Sequence, residues 1–163
     1  MRKCDSCQRF AGKLKNLGNT PLKSVEVHVP FQQWGMDFIG EISPKSSTGY
    51  SWILVATDYF TKWVEAIPTR NETSKVVNKF LLSNVISIFG CPQKIVIDNA
   101  MCFRSEEFMK FCDKYGITRS TSSPYHPQGN GQVESTNKSL LKVIKRTLND
   151  NKKAWDSAIC NLC

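Results

Sequence analysis

The sequence WGMDFIGEI at residues 34–42 is followed by YSWILVATDYF at residues 50–60 and by KWVEAIPT at residues 62–69, and these three stretches decide the fold. Each is rich in the aromatic and β-branched residues that are typical of strands. Two turn-prone sequences, PKSSTG and DYFT, separate them. Three short strands with such close connections are predicted to form an antiparallel meander.

Helix and strand patterns alternate after this meander. Apolar residues at spacings of three and four predict a helix over residues 73–89 that ends at Gly90. KIVID, residues 94–98, is a short apolar run typical of a buried strand. The later segments are predicted as a helix capped by Ser105 and ended by Gly116, a strand at residues 116–122, an irregular loop at residues 122–131 and a helix over residues 132–149. This order predicts an α/β fold with a mixed sheet covered by helices.

Composition excludes several classes of protein. A chain of 163 residues that is 40% apolar and 22% charged fits one globular domain and excludes a disordered chain. No apolar stretch approaches the roughly 18 residues of a membrane-spanning helix, and MRKCDSCQRF lacks the apolar block of a secretory signal. Seven cysteines are an odd number that indicates reduced thiols. These features predict a soluble intracellular protein with no membrane partner.

The net charge of +8 is concentrated at the two ends of the chain. Residues 1–30 contain six Lys or Arg against two acids, and residues 135–163 contain the same numbers. Residues 31–134 carry ten charges of each sign. Basic segments on both sides of a neutral centre fit a polyanion partner, of which nucleic acid is the commonest. Ordinary solubility charge is the alternative explanation, and charge alone leaves both open.

Three acids stand out by their positions. Asp37 lies within an apolar strand, where a carboxylate needs a cation or hydrogen-bond donors beside it. Asp98 closes the strand KIVID, at the point where open α/β sheets place their sites. Glu134 begins the last helix, and 35 residues separate it from Asp98. Each acid also has an ordinary structural explanation, and the competing Asp58 is assigned to the turn after the second strand.

The sequence motifs around these three acids distinguish them from the other acids of the chain. YHPQGNGQVE at residues 125–134, followed by STNKSLLKVIKR, together with WGMDFIG, TDYFTKW and IDNAMCF, closely resembles the catalytic core of retroelement integrases, particularly those of gypsy-type long-terminal-repeat retrotransposons. The resemblance begins near residue 31 and implies a ribonuclease-H-like fold. It implies metal-dependent processing of DNA 3′ ends and strand transfer, that is DNA integration, with Asp37, Asp98 and Glu134 as catalytic residues.

The donor chemistry of these three residues agrees with that expectation. Three hard oxygen ligands without a His or Cys beside them favour Mg²⁺ or Mn²⁺ over zinc. Phosphoryl transfer without a covalent intermediate uses two such ions, one at the attacking and one at the leaving oxygen. Asp37 is assigned as the ligand shared by both ions. Asp98 and Glu134 are each expected to complete the coordination of one of the two ions.

The expected partner is double-stranded DNA, both the element ends and the target. In the resembled family residues 122–131 correspond to the mobile active-site loop, although an ordinary surface connection is the alternative for the loop alone. A row of lysines extends from Glu134 along the last helix and would follow a DNA backbone, whereas a solvated lysine face is the alternative. The predicted DNA contacts are Tyr125, Gln128, Asn130, Asn137, Lys138, Lys142 and Lys145.

The sequence predicts three segments. Residues 1–30 are expected to be a basic linker with the remnant of a zinc-binding module, because Cys4 and Cys7 have zinc-knuckle spacing but only MRK precedes them; zinc binding is therefore not expected. Residues 31–150 are expected to form the catalytic core and residues 151–163 a truncated helical extension. The chain is expected to be a piece of a longer polyprotein or a decayed copy. When full length, the protein is expected to act as a homo-oligomer in the nucleus, after synthesis in the cytoplasm.

Two other functions compete with an active integrase. The first is a catalytically inactive, integrase-derived module for DNA binding or oligomerisation. It is favoured by the missing flanking domains and by Ala100, which replaces the family's usual Gly and would strain the loop beside Asp98 if that position needs a positive φ. The intact triad opposes it. The second is a ribonuclease H, and the HPQGNGQVE loop and the place of Glu134 on the last helix argue against it.

Overall fold

Strand β1 (Gln33–Ile39) lies at the centre of the sheet in a computed structural model that describes residues 28–121 and 155–160. The other strands are β2 (Trp52–Asp58), β3 (Val64–Thr69), β4 (Lys94–Ile97) and β5 (Thr118–Thr121). Across the sheet their order is β3, β2, β1, β4, β5. The first three strands are antiparallel neighbours, whereas β4 and β5 run parallel to β1. The described residues thus form the predicted mixed five-stranded sheet, and the predicted meander is confirmed.

The chain after β3 forms one long helical segment. It consists of α1 (Ser74–Phe80), a π-helical stretch (Leu81–Ile86) and α2 (Ser87–Phe89). Thr73 caps its start, because the threonine hydroxyl accepts a hydrogen bond from a backbone N–H in the first turn. Gly90 ends it with a φ of 88°, in the left-handed region that glycine enters without strain. The predicted bounds of this helix are confirmed.

The π-helical stretch was not predicted and corrects the expectation of a regular helix. Hydrogen bonds in a π-helix join residues five apart, and the backbone N–H of Ser87 accordingly donates to the carbonyl of Leu82. The Ser87 hydroxyl donates to the same carbonyl at 2.5 Å. Leu81 and Val85 remain fully buried through this stretch. An extra residue in a turn therefore leaves the apolar pattern intact, which is why periodicity alone does not detect it.

The remaining helices are α3 (Met101–Arg104), α4 (Glu106–Lys114) and α5 (Trp155–Cys160). The Ser105 hydroxyl caps α4 by accepting from a backbone N–H at 3.2 Å, as predicted, and two glutamates in the first turn favour the same helix end. Gly116 follows α4 with a φ of 67°. The four-residue helix α3 was not predicted, since no side chain caps its start. Within residues 28–121 and 155–160, the helices are too short and too polar to cross a lipid bilayer.

Two apolar cores cover the two faces of the sheet. Successive residues of a strand point to opposite faces, so β1 contributes to both. One core lies under helices α1 to α4, and its fully buried side chains include Trp34, Met36, Leu54, Phe80, Leu81, Ile95 and Phe108. The other lies under α5 and contains Ile39, Ile42, Ile53, Val55, Ala66, Trp155 and Ile159. We call the face under helices α1 to α4 the helix face and the opposite face, under α5, the α5 face.

The three cysteines whose side chains are fully described, Cys91, Cys102 and Cys112, are free thiols. Cys102 and Cys112 are buried in the first core, where a reduced thiol packs as a small apolar group. Cys91 is exposed.

Phe108 provides a test of the first core. Its side chain is fully buried, and its ring packs edge-on against Phe103 at 5.6 Å between centroids. We expect Phe108→Ala to lower the free energy of unfolding by about 3–5 kcal/mol, because it removes a buried ring and leaves a cavity. Met109, the next residue of the same helix, is 39% exposed. Met109→Ala is the control and should cost less than about 1 kcal/mol in the same urea titration.

Candidate active site

Asp37 and Asp98 occupy matching positions on adjacent parallel strands. The pairing of β1 with β4 places Gln33 opposite Lys94 and Gly35 opposite Val96. The same register, continued by two residues, places Asp37 opposite Asp98. Neighbouring strands lie about 4.8 Å apart, and matching residues of parallel strands point to the same face. From this register we infer that the two carboxylates predicted to be catalytic lie side by side.

The two acids lie on the α5 face. Within β1, Asp37 alternates with Met36 and Phe38, which pack in the first core, and shares its face with Ile39 of the second core. Asp98 comes directly after the last residue of β4, where a parallel strand runs into a loop. Both acids are partly buried. This edge of an α/β sheet is where ligand sites form.

Backbone N–H groups orient both carboxylates. Oδ1 of Asp37 accepts a hydrogen bond from the N–H of Phe38 at 2.8 Å, and Oδ1 of Asp98 accepts from the N–H of Ala100 at 2.9 Å. Among the described residues no donor is hydrogen-bonded to Oδ2 of Asp98. One oxygen of Asp98 is therefore fixed by the loop, and the other can bind a ligand.

The concern about backbone strain at Ala100 is not supported by the structure. Ala100 has a φ of −60° and a ψ of 145°, an extended conformation that any L-residue adopts. Its side chain packs against the first core. Glycine is not required at this position, so the loop beside Asp98 forms without strain from the alanine.

Asp58 has a structural role, as predicted. Its side chain is fully buried at the end of β2. Its carboxylate accepts hydrogen bonds from the N–H of Phe31 at 3.1 Å and from both the N–H and the hydroxyl of Thr61 at 2.7 Å. These bonds close the turn between β2 and β3 and attach the segment before β1 to it. The donors compensate the burial of a charge, so this acid is not a candidate ligand.

The surroundings of Asp98 favour oxygen ligands. Burial, and next the negative charge of Glu72, raise the pKa of the Cys102 thiol to about 11, and the charge of Asp98 adds to this effect. The thiol therefore stays protonated at neutral pH, and only a thiolate is a good metal ligand. The donors at this site suit Mg²⁺ or Mn²⁺.

The third acid lies outside the described residues. Within residues 28–121 and 155–160 no group of three or more His, Cys, Asp or Glu side chains is placed to hold a metal ion. Two of the predicted ligands, Asp37 and Asp98, belong to these residues, and the third, Glu134, belongs to residues 122–154. The other predictions outside the described residues are the DNA contacts Tyr125, Gln128, Asn130, Asn137, Lys138, Lys142 and Lys145 and the remnant zinc ligands Cys4 and Cys7.

Comparison with known proteins settles the family. Residues 27–127 match the family described as "Integrase core domain". The chain belongs to this family. The match includes β1, β4 and the pair Asp37 and Asp98, so the predicted resemblance to retroelement integrases is confirmed at the level of retroviral-type integrase cores. The narrower assignment to gypsy-type elements stays a prediction.

Viral polyproteins are similar to this integrase core. The chain is 37% identical over 132 residues to the Pol polyprotein of radiation murine leukemia virus (strain Kaplan), covering 80% of the chain and 22% of the polyprotein. It is 35% identical over 130 residues to the Gag-Pol polyprotein of avian reticuloendotheliosis virus, covering 80% of the chain and 11% of the polyprotein. It is 36% identical over 154 residues to the Gag-Pol polyprotein of feline leukemia virus, covering 93% of the chain and 9% of the polyprotein. The chain thus spans about a tenth to a fifth of their length.

A solved structure shares the fold. A cryo-EM structure of the simian T-cell lymphotropic virus intasome in complex with the PP2A regulatory subunit B56 gamma superposes with a TM-score of 0.63 at 26% identity. The likeness covers 78% of this integrase core and 45% of the other chain. The predicted ribonuclease-H-like fold is thereby confirmed.

Two hydrogen bonds attach α5 to the loop after β1. Sequence reasoning did not predict them. The hydroxyl of Thr48 donates to the carboxylate of Asp156 at 2.5 Å, and the indole N–H of Trp155 donates to the carbonyl of Pro44 at 3.3 Å. Both α5 residues are buried. The interacting residues are more than one hundred positions apart in the chain, and no local pattern shows such a pairing.

The different roles of Asp58 and Asp37 can be separated by stability. Asp58→Ala leaves three donors without their acceptor, and we expect it to lower the free energy of unfolding by about 3 kcal/mol or more. Asp37→Asn keeps a side-chain oxygen that can accept the hydrogen bond from the N–H of Phe38, so we expect the free energy of unfolding to change by less than about 1 kcal/mol. Denaturant titration monitored by circular dichroism measures both. A larger loss for Asp37→Asn than for Asp58→Ala would contradict these roles.

Proposed function

We propose that this integrase core catalyses metal-dependent DNA 3′-end processing and strand transfer. The observation that carries the proposal is the pair Asp37 and Asp98 at matching positions of adjacent parallel strands. Membership of the integrase core family gives the pair its chemical context, since such cores generally use divalent metals and act as polynucleotidyl transferases. The ordinary backbone at Ala100 removes one argument for an inactive module.

The roles of the acids follow from their geometry. Asp37 lies mid-strand with one oxygen held by a backbone N–H, and Asp98 offers an oxygen without a hydrogen-bond partner among the described residues. We assign both, with Glu134, as ligands of two Mg²⁺ or Mn²⁺ ions. When bound, such ions supply activation of the attacking oxygen and stabilisation of the leaving oxygen. The protein's own contribution is to hold Asp37 within a strand of the sheet and Asp98 directly after another, which reduces the cost of positioning these two ligands.

The proposed substrate is double-stranded DNA. The core from residue 31 to residue 134 is electrically neutral, and the excess positive charge lies in the flanking segments. The three carboxylates carry a charge of −3 and two divalent cations would add +4, so the loaded site would be slightly positive and would accept a phosphodiester, while the basic segments hold the DNA backbone beside it. The intasome named above supports oligomeric action on DNA, and we propose the same for the protein that contains this core, within the nucleus.

Substitution of the three acids tests the chemistry. We expect Asp37→Asn, Asp98→Asn and Glu134→Gln each to reduce Mg²⁺-dependent cleavage and joining of labelled DNA ends by at least about a hundredfold, because losing a ligand removes several kcal/mol of charge stabilisation. Cleavage and joining are measured on the same substrate with Mg²⁺ and with Mn²⁺. Paramagnetic resonance of bound Mn²⁺ provides a second readout, and its affinity should fall in all three variants.

Asp113→Asn is the matched control for this experiment. Asp113 is an exposed acid on α4 that pairs with Arg119 at 3.3 Å, away from the α5 face. It should retain wild-type activity and Mn²⁺ affinity. Retained joining in any of the three triad variants would contradict the assignment. Mn²⁺ binding and DNA binding without cleavage by the wild-type chain would favour the inactive binding module instead.

A pair of lysines tests the predicted DNA path. We expect Lys138→Gln combined with Lys142→Gln to weaken DNA binding and to lower the slope of log affinity against log salt by about 2, because two phosphate contacts are lost. Fluorescence anisotropy of a labelled duplex at several salt concentrations measures this slope. The control is Lys110→Gln combined with Lys114→Gln, which removes two exposed lysines at the same spacing from α4. Equal slopes for both double variants would indicate that Lys138 and Lys142 lie on an ordinary solvated face and do not contact DNA.

A further inference from the structure

A cleft opens on the helix face at the carboxyl end of β3. Its volume is about 350 Å³, and it lies between the last residues of β3 and the helical segment formed by α1 and the π-helical stretch. Ile67, Val76 and Phe80 form an apolar floor. A volume at the low end of the range for ligand sites, roughly 300–1,000 Å³, fits one or two side chains.

Two cations line the rim of this cleft. Arg70 and Lys79 are both exposed, and among the described residues neither forms a salt bridge. The guanidinium of Arg70 lies 5.9 Å from the ring centroid of Tyr50 and donates to the carbonyl of Thr48 at 3.2 Å. These two contacts hold the arginine in place, so it loses little conformational freedom when it binds a carboxylate.

The neutral polar groups of the cleft complete its chemistry. The amides of Asn71 and Asn84 and the hydroxyl of Ser83 line it and can donate hydrogen bonds. Among the described residues that line the cleft there is no carboxylate. The site therefore combines an apolar floor with a rim of donors and two positive charges.

We propose that this cleft binds a short acidic segment of a partner protein, with an aliphatic or aromatic side chain on the floor and a carboxylate against Arg70 and Lys79. Local charge complementarity favours it, because two cations and no carboxylate line the cleft among the described residues. A nucleic acid fits less well, since base stacking needs a free aromatic face and the ring of Tyr50 is already covered by Arg70.

The inference goes beyond the proposed catalysis, because neither Asp37 nor Asp98 lines the cleft. Ile67 of its floor packs against the first core, whereas Asp37 shares its face with Ile39 of the second core. Variants of the cleft residues and variants of the acids therefore test the two functions separately.

Peptide pools of defined composition test the proposal. Fluorescein-labelled hexapeptides drawn at each position from Asp, Glu, Leu and Phe are titrated with the full chain, beside a matched pool in which Asn and Gln replace the acids. We expect saturable binding of the acidic pool alone. Arg70→Gln combined with Lys79→Gln should weaken it at least tenfold, whereas Lys110→Gln combined with Lys114→Gln, which removes the same charge elsewhere, should leave it within twofold. Amide chemical shifts should change at Thr69, Arg70 and α1.

Several outcomes would overturn the proposal. They are no saturable binding of the acidic pool, equal binding of both pools, or equal weakening by the two double variants, which would indicate non-specific charge attraction. Displacement of the peptides by an equal concentration of a single-stranded dodecanucleotide would assign the cleft to nucleic acid. A change from dimer to monomer in sedimentation, seen only with the Arg70 and Lys79 variant, would assign it to a second copy. The catalytic variant Asp98→Asn should bind the peptides like the wild type.

Discussion

Parallel pairing of β1 with β4 is the constraint on which the candidate site depends. It joins segments that are about sixty residues apart, and it sets the register that places Asp37 beside Asp98. A slip of one residue would turn every β4 side chain to the opposite face, which would separate the acids and expose Ile95 and Ile97. Because those two side chains are almost fully buried in the first core, hydrophobic packing fixes the register that the chemistry requires.

Much of the fold was predictable because its elements carry strong local signals. The meander follows from β-branched and aromatic runs, and the Thr73 and Ser105 caps and the glycines Gly90 and Gly116 define the helix ends. The π-helical stretch and the four-residue α3 were not predictable in this way. One extra residue in a turn leaves an apolar stripe unbroken, and four residues are too few to show a period.

The candidate site was predictable to the extent that strand ends reveal it. Asp98 at the end of a buried strand, and Asp37 within one, were signals of position, and the structure adds their register. The role of Asp58 also followed from its place in a turn. The cleft beside Arg70 and the contact between Thr48 and Asp156 were not predictable, because they join segments that are distant in sequence and lack a characteristic motif. The place of Glu134 relative to the two aspartates remains a prediction.

The attachment of α5 has a consequence for the strand that carries Asp37. Pro44 and Thr48 lie in the loop that follows β1, and two buried side chains of α5 are hydrogen-bonded to this loop. Trp155 also packs in the same core as Ile39, the last residue of β1. Loss of the indole or of the carboxylate would therefore allow this end of β1 to open locally more often, and it would disturb the position of Asp37 while leaving the aspartate itself in place.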